Sequence, residues 1–158
     1  MNSRPLYKDI VSVYGEPGDP SNLTTIVPPF PMYLSWDKSK KISKITCHKL
    51  ISRDLFNALT EILEHYGLER IKYLGIDIYG GCLNVRKMRG GKKWSTHSWG
   101  IAIDLDPANN RLRWKRDKAH FAGEHYDVMF EIFLKHGFHS LGKEKDYDWM
   151  HLQAVKIK

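Results

Sequence analysis

The segment Ser95-Thr-His97-Ser-Trp-Gly100-Ile-Ala102-Ile-Asp104 offers an imidazole and a carboxylate that could hold a metal ion between them. On a strand starting near Gly100, Ile101, Ile103 and Leu105 turn to one face as core, which leaves Ala102 and Asp104 on the other. His97 stands seven residues before Asp104, an odd separation that an unbroken strand would send to the wrong face. A turn at Trp99-Gly100 is therefore required, and Gly100 has the backbone freedom for it. Ala102 is small enough to leave space for an ion above the sheet. Taken alone, the segment also suits a buried Asp capping a turn beside an unrelated His.

A second stretch, Asp146-Tyr-Asp148-Trp-Met-His151-Leu-Gln-Ala-Val155, alternates as a strand, with Met150, Leu152 and Ala154 on one face and His151 and Gln153 on the other. His151 can complete a set of two imidazoles and one carboxylate with His97 and Asp104. Such a set leaves the fourth tetrahedral position of Zn2+ open to water, the composition of a catalytic rather than a structural zinc site. Asp148, three residues ahead of His151, can stand beside that water as general base without being a ligand. Asp146 is a weaker candidate for the same work.

The other histidines of the eight do not form such a set. His120-Phe-Ala-Gly-Glu-His125 fits neither H-E-x-x-H nor H-x-x-E-H, and i, i+5 spacing puts its two rings on different faces of a helix. His48, His65, His136 and His139 read as surface or hydrogen-bonded structural residues.

Together, Ser95-x-His97-x-x-Gly100-x-Ala102-x-Asp104 and Asp148-x-x-His151 resemble the zinc metallopeptidase family of D-alanyl-D-alanine carboxypeptidases and dipeptidases and of phage L-alanyl-D-glutamate endolysins. The resemblance covers about residues 50 to 156. It implies the small α+β fold shared with hedgehog signalling domains, zinc on His97, Asp104 and His151, and Asp148 as catalytic base. Many relatives have Glu at that place, and the Asp here leans toward the endolysin-like branch. The resemblance further implies an upstream arginine that stabilises the substrate oxyanion. Arg86 is the match, with Arg89 behind it and a surface salt bridge the alternative for either. It also makes Ser95 a substrate-anchoring hydroxyl, although Ser95 could equally bond only backbone.

Positioning these residues calls for a mixture of helices and strands. Ser52 offers an N-cap to a helix over residues 53–66, where Leu55, Leu59, Ile62 and Leu63 recur at helical spacing and Gly67 stops the pattern. Ile71 to Tyr79 reads as a strand that pairs, after Gly80-Gly81, with Cys82 to Met88 in a hairpin. Arg89 to Lys93 reads as a flexible basic loop, Ile101 to Leu105 as a strand and Asp106 to Asn110 as a turn. A second helix over Gly123 to Leu134 has an apolar face of Val128, Met129, Ile132 and Phe133, and a last strand spans about Trp149 to Ile157. Without regular βαβ alternation, the class is α+β with a small, mainly antiparallel sheet and flanking helices.

Six of the seven prolines precede residue 46, so residues 1–45 read as a loop-rich arm anchored by Tyr14, Phe30, Tyr33 and Trp36, and residues 46–158 as the catalytic core of a single domain. Residues 37–44 form a basic run that suits a solvated loop better than an anion site. Cys47 and Cys82 form no C-x-x-C and read as reduced, buried thiols, with a lone disulfide the lesser alternative. Hydrophobic residues at 42% and charged residues at 27% exclude a disordered or fibrous chain, and no apolar run is long enough to span a membrane. No apolar stretch follows the basic residue near the N-terminus, so no secretory signal is read. The expectation, which follows from the resemblance, is a zinc-dependent peptidase acting on the peptidoglycan stem peptide at the L-alanyl-D-glutamate bond, as a monomer made in the cytoplasm and released to the wall in phage fashion. A net charge of +7 would favour anionic wall polymers. Neither Lys38 to Lys44 nor Arg111 to Arg116 has a groove-reading helix or stacking motif, so nucleic acid is not the expected partner. The alternatives are a D-alanyl-D-alanine carboxypeptidase and a non-catalytic, hedgehog-like zinc-binding module.

Overall fold

The computed structural model describes residues 3–157; Met1 and Asn2, the first residues of the arm and of the N-terminus read as signal-free, and Lys158 lie outside them. Chain order runs α1 (Ile10–Tyr14), β1 (Leu23–Ile26), β2 (Tyr33–Leu34), β3 (Asp37–Lys41), β4 (Ile45–His48), α2 (Ser52–Leu74), β5 (Ile78–Gly81), β6 (Ala102–Leu105), α3 (Asp127–Lys135), β7 (His139–Ser140), α4 (Leu141–Lys145) and β8 (His151–Gln153). Strands β1 and β4 pair by themselves, and the others form one sheet in the order β3-β2-β5-β6-β8-β7. Among the described residues only β2 and β5 run parallel, so the mixed α+β class and the mainly antiparallel sheet agree with the sequence reading.

Helix α2 buries Leu55, Ala58, Leu59, Ile62 and Tyr66, the stripe that helical spacing requires. Gly67, at φ 78° and ψ 160°, breaks the helical run as expected, but the chain then resumes helix to Leu74. Ile71 and Leu74, three apart, both face the core, so Ile71 to Leu74 is not strand. The predicted hairpin with Cys82 to Met88 does not form. Tyr79 pairs with Leu105 instead, and an isolated bridge in the neighbouring loop joins Lys87 to Trp94. Ser52 does not cap α2: a 3-10 turn over Lys49–Ile51 precedes it, and the His48 ring accepts the Leu50 amide there. Helix α3 starts four residues later than the apolar pattern suggests, after a 3-10 turn over Glu124–Tyr126, and buries Met129, Ile132 and Phe133. Strand β8 stops at Gln153.

The N-terminal arm is more ordered than a loop. Tyr14 and Phe30 are buried anchors and Tyr33 is half-buried, but Trp36 is 69% exposed and anchors nothing. The basic run is solvated as expected, though as the edge strand β3 rather than a loop. The arm also buttresses the segment that carries His97. Gly18 N donates to Ser98 O at 2.8 Å, Trp99 Nε1 to Gly15 O at 2.7 Å, and Tyr14 Oη to Ala154 O at 2.8 Å. Cys47 and Cys82 are free and buried, and burial pushes the Cys47 thiol up to about 12.

Candidate metal centre

His97 sits on a 3-10 turn, Thr96–Trp99, closed by Gly100 in the left-handed region at φ 70°. A Cβ at Gly100 would lie 3.0 Å from His48 N and 3.1 Å from Cys47 Cα, so both the backbone angle and the close packing demand glycine. This is the turn that the odd spacing to Asp104 requires. Ile101, Ile103 and Leu105 are fully buried, and Asp104 projects from the other face of β6. Asp104 stands directly opposite His151 on β8, and Ala102 stands opposite Gln153.

His97, Asp104 and His151 each bring one ligand-capable atom within 4.8 Å of the others. Asp104 Oδ2 lies 3.2 Å from His97 Nε2 and its Oδ1 3.2 Å from His151 Nδ1. The His97 and His151 rings are near-perpendicular, 5.0 Å apart. His97 Nδ1 donates to Cys82 O at 2.8 Å, which leaves its Nε2 buried beside Asp104 Oδ2 but in no aligned hydrogen bond. A buried imidazole nitrogen in no aligned hydrogen bond, beside a carboxylate and a second imidazole, is the donor set that zinc takes.

The charges point the same way. Burial raises the Asp104 carboxyl, but the His151 and His97 rings facing its two oxygens outweigh it, so Asp104 stays ionised well below the usual carboxylate range. Burial lowers His151, and its bond to Asp104 with the charges of Asp104 and Asp148 more than reverses this, so it holds a proton above the ordinary imidazole range.

Asp148 lies beside the set rather than within it, with Oδ2 3.9 Å from His151 Nδ1. Its left-handed backbone, φ 51°, is held by Asp148 N donating to Leu112 O at 2.8 Å and His151 N donating to Asp148 O at 3.0 Å. Burial pushes its carboxyl up to about 6, against the pull of His151, His97 and Arg86. Asp146 is used elsewhere: Oδ1 accepts from Arg116 N and Trp149 Nε1, and Oδ2 from Arg116 Nε, so its carboxylate is committed to a surface bridge.

Arg86 is half-buried on an irregular segment instead of a hairpin strand. Its N and O bond the Ser98 hydroxyl at 3.0 and 2.9 Å, and its O also accepts from Ser95 N at 2.9 Å, which clamps it to the turn bearing His97. Arg89 is exposed next to the Gly90-Gly91 turn. Ser95 is buried, with Oγ accepting from His97 N at 3.2 Å, so it caps the 3-10 turn.

The remaining histidines have structural partners or none of chemical interest. His48 meets Tyr14 O, His136 meets Glu61 and His139 meets Glu144. Sequence reasoning missed the partners of the ring nitrogens facing away from the cluster. Gln153 Oε1 lies 2.8 Å from His151 Nε2 and Thr96 Oγ1 3.4 Å from it. Alternation along β8 was the signal for Gln153, since it shares the face of His151.

No curated protein matches the chain. Residues 89–154, which hold the triad and Asp148 but not Arg86, match the family model described as D-alanyl-D-alanine carboxypeptidase, so this stretch bears the resemblance that its two motifs declare, to a zinc-dependent peptidase family.

Proposed function

We propose that the protein is a zinc-dependent endopeptidase of the bacterial cell-wall stem peptide, cutting the L-alanyl-D-glutamate bond in the manner of phage endolysins. The observation that carries this reading is Asp148, a buried carboxylate beside the two-His, one-Asp set but outside it. A purely structural zinc site has no use for such a group. In this reading His97 Nε2, Asp104 and His151 Nδ1 hold the metal in a single domain with the hedgehog-like fold. Zinc held there would acidify water and polarise the scissile carbonyl. Asp148 takes the proton from the attacking water and passes it to the departing amine, work suited to a carboxyl raised toward neutrality. Arg86, fixed in charge, with its backbone clamped by Ser98 and its charge felt at Asp148, is the group that would stabilise the oxyanion. Ser95 acts first through the turn that it caps, and its hydroxyl is the candidate anchor for substrate.

The surface around the site fits an anionic wall. Residues 86–93 and 111–118 each carry five Lys or Arg, with one acid between them, Asp117. The first segment is tied to the His97 turn and the second to Asp148. Lys87 stacks on Trp94 at 3.8 Å and Arg111 on Trp114 at 5.5 Å, so two of these charges rest on aromatic supports. The protein would act as a monomer reaching the wall after phage-type release. No helix among the described residues is long and apolar enough to cross a membrane.

The description of the matched family favours a second reading, removal of a C-terminal D-alanine. Mass spectrometry of fragments released from purified wall separates the two. New N-terminal D-glutamate supports the endopeptidase, free D-alanine supports the carboxypeptidase, and no release with zinc present overturns both.

A further inference from the structure

His151 has two ring nitrogens, and its surroundings decide which one is offered to a metal. Gln153, two residues along β8, donates from Nε2 to Val155 O at 3.1 Å. A carbonyl only accepts, so this bond orients the amide and leaves Oε1 toward His151. Oε1 lies 2.8 Å from His151 Nε2 and also only accepts, so Nε2 must carry the hydrogen. The other nitrogen, Nδ1, then faces Asp104 and the cluster. Gln153 is 8% exposed, and its cross-strand partner is the small Ala102, which leaves the amide room on that face.

We propose that Gln153 is a positioning residue of the metal centre. It holds the His151 ring with Nδ1 toward the ion, as Cys82 O holds His97 with Nε2 toward it. The inference rests on the zinc reading above and adds a reason for an amide in this place. As a neutral acceptor it orients the ligand without adding a second negative charge, so zinc and Asp104 together keep a net +1 that acidifies water. Thr96, more distant from the same nitrogen, is the lesser partner.

The test is zinc affinity by chelator competition, with no need for activity. Gln153→Met, of similar length but without the acceptor, should bind zinc about 10- to 100-fold more weakly, with metal-free thermal unfolding little moved. Gln153→Glu, which restores an acceptor, should recover most of that loss. In zinc-loaded wild type with 15N-labelled histidine, His151 should show a slowly exchanging Nε2–H. Wild-type affinity in Gln153→Met, or zinc found on His151 Nε2, overturns the inference, and the second outcome needs no variant to fold. If His97→Ala and Asp104→Ala lose zinc while Gln153→Met keeps it, this inference alone fails. If all three keep zinc, the site itself is wrong.

Discussion

Asp104 and His151 lie 47 residues apart in sequence yet stand directly opposite one another on antiparallel β6 and β8, with Asp104 Oδ1 3.2 Å from His151 Nδ1. Opposed residues on neighbouring strands share a face, and the ladder fixes their separation before any metal arrives. A slip of one residue would turn one of the two to the other face and dissolve the site.

Zinc should bind at about one ion per chain, and His97→Ala, Asp104→Ala or His151→Ala should each lose it. Because His151 holds its proton above the ordinary imidazole range, zinc must displace that proton. Affinity should therefore fall as pH drops and rise as pH climbs through that raised value. Calorimetry in buffers of different ionisation enthalpy reads the released proton. Uptake with no proton release in mildly acidic buffer would contradict the assignment.

Asp148→Ala and Asp148→Asn should keep zinc and fold while losing several orders of magnitude in hydrolysis, since neither side chain can take a proton. Asp148→Glu should retain part of the rate. In the native protein the rate should decline as acid protonates Asp148, because only the carboxylate is a base. Zinc content and fragment release measured on the same preparations decide it; near-native activity in Asp148→Asn would place the base elsewhere.

For Arg86→Ala, kcat should drop by on the order of a hundredfold with little change in stability, because its charge is needed when the oxyanion forms. Arg89→Ala should remain near wild type. The reverse pattern would exchange the two roles.

The basic rim predicts a local effect rather than one of total charge. Replacing Arg113, Lys115 and Lys118 by Gln should weaken sedimentation with intact wall and raise the apparent KM, most at low salt. The same charge removed from β3 through Lys38, Lys40 and Lys41 should matter far less. Equal losses from both sets would reduce the rim to net charge, and hydrolysis of a short soluble stem peptide should survive either change.

Sequence alone pointed to the candidate metal positions. The spacing from His97 to Asp104 demanded a turn and a facing strand, and Gly100 and the buried Ile101, Ile103 and Leu105 match that demand. The apolar stripe of α2 was equally legible, since helical periodicity is written in neighbouring residues. Pairing is not written there. Ile71 to Leu74 carries β-favouring residues but buries a helical face, and Tyr79 pairs across to Leu105 rather than to the adjacent segment. Tertiary structure also separated Asp146 from Asp148, which sequence offered for one task. Arg116 and Trp149 occupy the first carboxylate, and the Leu112 carbonyl helps to hold the second beside His151. Gln153 gained its place in the same way, because which nitrogen of a histidine is free depends on groups that only the folded sheet and its following turn bring together.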